Sequence, residues 1–486
     1  MWFFAVLILR RSPQFVIGLT VLTAIFGTLF FTILSRPFVA VAFLAALLPF
    51  YNGALAWMAY HETYSERTLL LVSRWKELLI LMLVFGARRA DFRRAFNSAP
   101  ALDALVILYI VTGCLYIAKS PHWLLGVWGL RIDHGYFLIY LTIRFMPVTK
   151  DNLKTIMRLL TWSGLILALA GFYQVLFLTE KDLLWWGYGQ APLFQRVPDA
   201  WHRAEWGFLR PGLIVGGPLG FGAIMMIIIL MTAPFALFYK KKSYGWLPFI
   251  TLVLCGVAMI LTTTRGAWLG TAVGVPVIGL LTRQYKKLFF YAFFGGAAAI
   301  LLIGATIGFS FLASTIGLKD GSSFTHASRI MDGIELVRDT PIGHGMGTAG
   351  RAIGAVSEAG AAQNTTESWY FQIVYEMGWA GLGLFLLILL ETVRVHIKVF
   401  NAVEDEFLKL FTAGSLAAFL GVNTFGVFLH AWSEHDMTNI YPMMLVGLVV
   451  FHVRAADERL RARRKAKEAE RIQEALSPGS PLAYEL

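Results

Sequence analysis

The sequence predicts an all-α, polytopic transmembrane helical bundle, and three observations carry that prediction. Apolar runs near twenty residues long recur from one end of the chain to the other, and each can cross about 30 Å of hydrocarbon as a helix. Of the 486 residues, 57% are apolar and only 15% charged, with a mean hydropathy of +0.64; a soluble domain carries about a quarter charged residues. The runs also lack the alternation of barrel strands. Because unpaired backbone groups are costly in lipid, helices are the remaining solution.

In order, the spans are read at 15–34, 37–56, 70–86, 101–118, 127–146, 156–178, 213–239, 246–263, 267–282, 288–312, 368–390, 408–428 and 438–453, about 12–13 in all. The third is interrupted by Arg74, Lys76 and Glu77, so it starts late or breaks there. Met1 to Leu9 is apolar but too short to span, lacks a leading basic region and is followed by Arg10 and Arg11, so it reads as an interfacial extension. The domain organisation expected is a transmembrane helical domain over 1–453, a large extracytoplasmic loop at 313–366 inserted within it, and a cytosolic basic tail over 454–486.

A net charge of +12 raises the question of nucleic acid, but the distribution argues against it. Basic residues gather in short connections (Arg88, Arg89, Arg93, Arg94; Lys240, Lys241, Lys242; Arg283, Lys286, Lys287) and in the tail after Val453. That is the positive-inside bias, which sets orientation and attracts anionic membrane lipids. With the tail inside, segments 179–212, 313–366 and 429–437 fall outside. Cys114 and Cys255 both lie in apolar runs and read as small core residues. The tail from Asp457 to Glu474 is expected to be a charged, solvated helix.

The candidate chemistry sits at the outer ends. Arg265, in Thr262-Thr263-Thr264-Arg265-Gly266-Ala267-Trp268, stands where one apolar run ends and the next begins. A cation there is costly unless it meets water, an anion or another charge. Arg210, followed by Pro211 and Gly212, holds an equivalent position, and Arg131 is a further member at the outer start of the fifth span. Singly, each arginine is explained as a snorkelling anchor; several on one face suit a diphosphate, which needs multiple cationic donors. Within the outer loop, Ile330, Ile334 and Val337 suggest a short amphipathic helix on the membrane surface. The stretch Pro341-Ile342-Gly343-His344-Gly345-Met346-Gly347 then makes a turn where backbone can approach a ligand closely. Glu367 opens the next span; it is either a helix-end dipole partner or a base able to accept a hydroxyl proton. Trp369 and Tyr370 line a substrate path or belong to an interfacial aromatic belt. His326, His344, His430 and His435 match no metal spacing, and no metal or cofactor is expected.

Taken in order, Arg210-Pro211-Gly212, Thr264-Arg265-Gly266-Ala267-Trp268-Leu269-Gly270, Arg329 with Pro341, Gly343 and Gly345, and Glu367 with Gly378, Gly381 and Leu382 resemble the O-antigen ligase and O-antigen polymerase superfamily of bacterial envelope enzymes. The resemblance covers roughly residues 70 to 450. It implies a type C-like membrane glycosyltransferase at the plasma membrane with an extracytoplasmic catalytic face, metal-independent and inverting. The donor implied is a polyprenyl-diphosphate-linked glycan and the acceptor a hydroxyl on a glycan or lipid, with a flippase and a chain-length regulator as partners. Arg210 and Arg265 would hold the diphosphate, Glu367 would activate the acceptor, and Arg329, Arg131, Gly343, Gly345 and Tyr370 would contact substrate. Ligases typically carry His-Asn where this chain has Glu367-Ser368, which shifts the expectation toward a polymerase of surface or exopolysaccharide repeat units. The alternatives are an O-antigen-type ligase, a protein O-oligosaccharyltransferase or, in a different class, a small-anion transporter. A transporter should show repeats and ionisable groups near the bilayer midplane.

Overall fold

The computed structural model describes residues 27–60, 73–87, 100–144, 146–188, 209–239, 242–287, 295–297, 301, 304, 321–338, 341–350, 352, 368–430, 432 and 436–476. The Met1–Leu9 extension, most of the spans expected at 15–34 and 288–312, the arginines from Arg88 to Arg94, and Glu367 and His435 lie outside them.

The described chain is helical throughout its core. The helices are α1 (Phe38–Leu47), α2 (Tyr51–Tyr60), α3 (Trp75–Ala87), α4 (Pro100–Ile117), α5 (Trp123–His134), α6 (Phe137–Arg144), α7 (Lys150–Phe177), α8 (Glu180–Trp185), α9 (Pro218–Phe238), α10 (Lys242–Leu261), α11 (Arg265–Thr282), α12 (Gly321–Arg338), α13 (Trp369–Ala402), α14 (Glu406–Phe425), α15 (Asp436–Val450) and α16 (Val453–Leu476). Six helical stretches among them are long and apolar enough to cross a membrane, or seven if the α1–α2 pair, bent by 65°, is one span. The protein is a polytopic helical membrane protein.

Several expected spans are shorter or broken. The one at 127–146 is interrupted at Gly135 and Tyr136, giving α5 and α6, as suits glycine, the weakest helix former after proline. The one at 70–86 begins only at Trp75, so the charged residues Lys76 and Glu77 form its first turn. The charged tail helix expected over 457–474 runs from Val453 to Leu476.

Helix α9 is apolar on every face and forms the centre; 89% of its most apolar window is buried, as an all-round apolar helix requires. It packs against α10, α11 and α14. Glycines let these backbones approach: a Cβ on Gly270 of α11 would lie 2.3 Å from Met226 Sδ and 2.6 Å from the Gly421 carbonyl of α14. Small residues serve this purpose in membranes, where helix association relies on close packing. The seam fixes the start of α11, and so Arg265.

Hydrogen bonds and ion pairs sort the helix ends onto two faces. On one, Lys150 pairs with Asp405, Arg463 with Glu404 at 2.8 Å and Lys398 with Asp457 at 2.5 Å, joining the starts of α7 and α14 to the tail. On the other, the end of α7 holds residues 210–213, and the first amide of α13 donates to the Gly426 carbonyl after α14 at 2.9 Å. Arg210, Arg265 and Tyr370 gather at this second face, opposite the basic tail.

Candidate active site

Arg210 lies in the loop before α9, and that loop is fixed by its backbone. Gln174 of α7 donates to the Arg210 carbonyl at 2.8 Å and accepts from the amides of Gly212 and Leu213 at 2.8 and 2.9 Å. Asn52 donates to the Val215 carbonyl at 3.1 Å, and Tyr188 to that of Leu213 at 2.5 Å. Burial pushes the Tyr188 phenol above its ordinary range, which keeps it a donor.

The Arg210 side chain is 7% exposed. Its Nε donates to the Thr262 carbonyl at 2.7 Å, and one terminal nitrogen lies 3.5 Å from Thr264 Oγ1. The two arginine motifs therefore meet: one guanidinium caps the turn that leads into the other. That turn is strained, because Thr263 holds φ +54, a region β-branched residues avoid at a cost of about 1–3 kcal/mol. Hydroxyls hold it in place, with Thr262 Oγ1 donating to the Met259 carbonyl at 2.6 Å and Thr264 Oγ1 to that of Pro218 at 3.2 Å. Arg265 is then the first residue of α11, with Thr264 at the N-cap. A cationic side chain beside a helix N-terminus offers an anion both a charge and unpaired backbone donors.

Arg131 sits elsewhere than expected. It occupies the last turn of α5 rather than the start of a span, ion-pairs with Glu77, and lies 4.6 Å over the Trp128 ring, with Arg74 at 4.7 Å from the same ring. Lys76, paired with Asp436 and 2.7 Å from Tyr51 Oη, extends this charged cluster. Its link to the Arg210 loop is indirect: Asn52 and Gly53, next to Tyr51, bond residues 215 and 214.

The glycine-rich turn approaches the chain's own backbone. Gly343 and Gly345 have φ of +73° and +108°, and a Cβ on Gly343 would lie 2.5 Å from the Glu376 carbonyl. The amides of His344 and Gly345 donate to the carbonyls of Tyr375 and Glu376 at 2.7 and 3.0 Å. The Trp379 amide donates to the Pro341 carbonyl at 3.2 Å. Those acceptors are available because α13 is kinked at Gly378, with φ +70° and ψ −174°. The turn plugs the break in α13, so the close approach that only glycine permits serves packing.

Tyr370, half-buried on α13, donates to the Asn423 carbonyl at 3.0 Å. Arg329 lies on α12, an 18-residue helix whose Gly333 packs against Phe371 of α13. On this helix Val337 is buried, Ile330 half-buried and Ile334 48% exposed, so the Ile330–Ile334–Val337 stripe is covered by the protein at its Val337 end. Glu367 precedes Ser368, which is the N-cap of α13.

The structure adds a group absent from the expectations. Asp133 of α5 and Glu376 of α13 are 1% and 2% exposed and face each other. Gln372 donates to Asp133 at 3.2 Å, His430 meets Gln372 Oε1 at 2.8 Å, and the Ala349 amide donates to Glu376 at 3.2 Å. The available signal was an acid inside each of two apolar runs, since an ionisable residue within a span marks function by default.

No curated protein matches the chain. Residues 250–386 match the family model described as O-antigen ligase. The matched segment contains Arg265, Arg329, the glycine-rich turn, Glu367 and the kinked start of α13. The match covers 137 of the 486 residues and supports the resemblance to the O-antigen ligase and polymerase superfamily that the sequence motifs carry.

Proposed function

We propose that the protein is an inverting membrane glycosyltransferase that polymerises surface or exopolysaccharide repeat units from a polyprenyl-diphosphate-linked donor at the outer face of the plasma membrane. The observation that carries this reading is the bond from Arg210 to the Thr262 carbonyl, which unites two arginine motifs at one end of the bundle, the second beginning a helix.

The acceptor oxygen attacks the anomeric carbon on the face opposite the diphosphate, and the bond from that carbon to the diphosphate oxygen breaks. Negative charge grows on the departing polyprenyl diphosphate. Arg210, Arg265 and the α11 N-terminus supply fixed positive potential there, in surroundings that need little reorganisation. Glu367 takes the acceptor proton. Arg329 shapes the loop over the donor, Gly343 and Gly345 set its position through α13, and Tyr370 borders the sugar path. Arg131 holds the neighbouring charged cluster. The glycan or lipid acceptor, the flippase and the chain-length regulator belong to the same proposal.

The buried acids Asp133 and Glu376 are the one observation that favours the transport reading. Glycan profiling in cells lacking the gene, complemented with wild type, Glu367→Ala or Arg265→Ala, separates the classes. A polymerase gives loss of long chains with accumulated single lipid-linked repeats, rescued only by wild type. Unmodified acceptors with normal chain lengths indicate a ligase or a protein oligosaccharyltransferase. An unchanged profile indicates a transporter and overturns the proposal.

A further inference from the structure

Four separate segments converge on the Asp133 and Glu376 carboxyl groups. Asp133 belongs to α5 and Glu376 to α13, and their carboxyls lie within hydrogen-bonding reach of each other. The Ala349 amide brings in the glycine-rich turn, and Gln372 with His430 brings in the segment after α14. Asp133 Oδ2 is buried and receives no hydrogen bond from the groups described. Neither acid makes an ion pair among the described residues. Among the described residues, Tyr109 from α4 and Tyr136 from the break between α5 and α6 are the other titratable groups near them, with His134 stacked on Tyr109 and His430 bonded to Gln372.

An ionised carboxylate only accepts hydrogen bonds. Two of them facing each other in a low-dielectric interior, without a cation, repel strongly, and sharing one proton removes the conflict. The shared O–H also supplies the donor that Asp133 Oδ2 lacks.

We propose that Asp133 and Glu376 hold a single shared proton, and that the protonated pair is the positioning centre of the transferase site. The inference rests on the function proposed above only in its second half. The route to the reaction is structural. The pair holds Gln372, Gln372 holds His430, and the adjacent segment carries Phe425, Gly426 and Leu429. A Cβ on Gly266, next to Arg265, would lie 2.8 Å from Phe425. The Trp369 amide, two residues after Glu367, donates to the carbonyls of Gly426 and Leu429 at 2.9 and 3.3 Å. The residue after Arg265 and the first amide of α13 are thus seated on one segment that the acid pair pins.

The test uses the full chain in nanodiscs at neutral pH, with Asp133→Asn, Asp133→Ala, Glu376→Gln and Glu376→Ala. Infrared difference spectra should show a deuterium-sensitive carboxylic acid carbonyl band in wild type, absent from both amide variants. In a transfer assay, each alanine variant should lose at least tenfold in kcat with a smaller change in KM. The amide variants should recover most of that loss, because an amide donates where the acid proton did. They should also lack the alkaline fall in rate that deprotonating the pair causes in wild type. Absence of the band from wild type, or its persistence in both amide variants, overturns the shared proton whether or not the protein is a transferase. A band that behaves as expected, with alanine variants that are folded and fully active, overturns the positioning role. If one amide variant fails to fold, the other decides by its band and rate.

Discussion

Arg210 donates its Nε hydrogen to the Thr262 carbonyl across 2.7 Å, so the arginine of one motif caps the strained turn that leads into Arg265. A guanidinium presents five donors in a fixed fork. The Nε hydrogen serves the fold here, and the positive charge serves the function we propose.

That division of labour makes Arg210 a demanding position. Arg210→Ala should remove the charged donor to the Thr262 carbonyl, which keeps the Thr263 hydroxyl at 2.7 Å, costing about 1.5–3 kcal/mol, and should also abolish transfer. Arg210→Lys keeps the charge without the fork, so it should retain more stability than alanine yet lose at least tenfold in activity. Thermal melts of detergent-solubilised protein and a transfer assay read the two effects separately. Equal activity of the lysine variant and wild type would remove the fork from the argument.

The interlock between the glycine-rich turn and α13 predicts intolerance of side chains. A Cβ on Gly378 would lie 2.4 Å from the Pro341 carbonyl, and its φ is +70°. Backbone strain alone costs about 1–3 kcal/mol in such a conformation. Gly378→Ala and Gly343→Ala should both lower the melting temperature and the folded yield on size-exclusion chromatography. Gly383→Ala on the same helix meets nothing within 4 Å and should behave as wild type.

A buried ion pair gives a prediction independent of function. Arg144 and Asp103, 1% and 0% exposed on their side chains, approach to 3.6 Å where α6 crosses α4, and Tyr140 donates to Asp103 at 2.6 Å. Removing one partner from such a pair costs about 3–5 kcal/mol, whereas replacing both with apolar residues is often neutral. Arg144→Met should sharply destabilise the protein, and Arg144→Met with Asp103→Leu should recover most of the loss in the same melt.

On the opposite face, the Arg463 guanidinium beside Glu404 holds that carboxyl below its ordinary value of 4.5. A lowered carboxylate contributes to tail docking above the ordinary value, and the contribution is lost as pH falls through the depressed one. Spin labels on α16 and on the α13–α14 connection should report a constant distance from neutral pH down to about 5 and a longer one in stronger acid. Glu404→Gln should show the long distance already at neutral pH.

The fold class was legible because apolar run length answers directly to bilayer thickness. The breaks were less so. Gly135 and Gly378 look alike in sequence, yet only Gly378 adopts a left-handed conformation, because the carbonyl of Pro341 and the amides of residues 344 and 345 occupy the gap it opens. Arg210 and Arg265 were legible as charges at span ends. That the first bonds the turn before the second depends on three helices packing through Gly270 and Gly421, which no local pattern encodes. Arg131 carried the same signal as those two, but α3 supplied Glu77 as its partner and drew it into a separate cluster. Asp133 and Glu376 are each a lone acid within an apolar run, and their pairing exists only once α5 and α13 meet.

The most direct measurement is transfer by the purified full-length protein in nanodiscs, using a synthetic polyprenyl-diphosphate-linked repeat unit as both donor and acceptor. The predicted result is release of polyprenyl diphosphate and growth of a lipid-linked chain with inverted anomeric configuration. Both should be lost in Arg265→Ala and in Glu367→Gln, while folding is retained. Chain growth by either variant at the wild-type rate, or retention of configuration, would contradict the proposed chemistry.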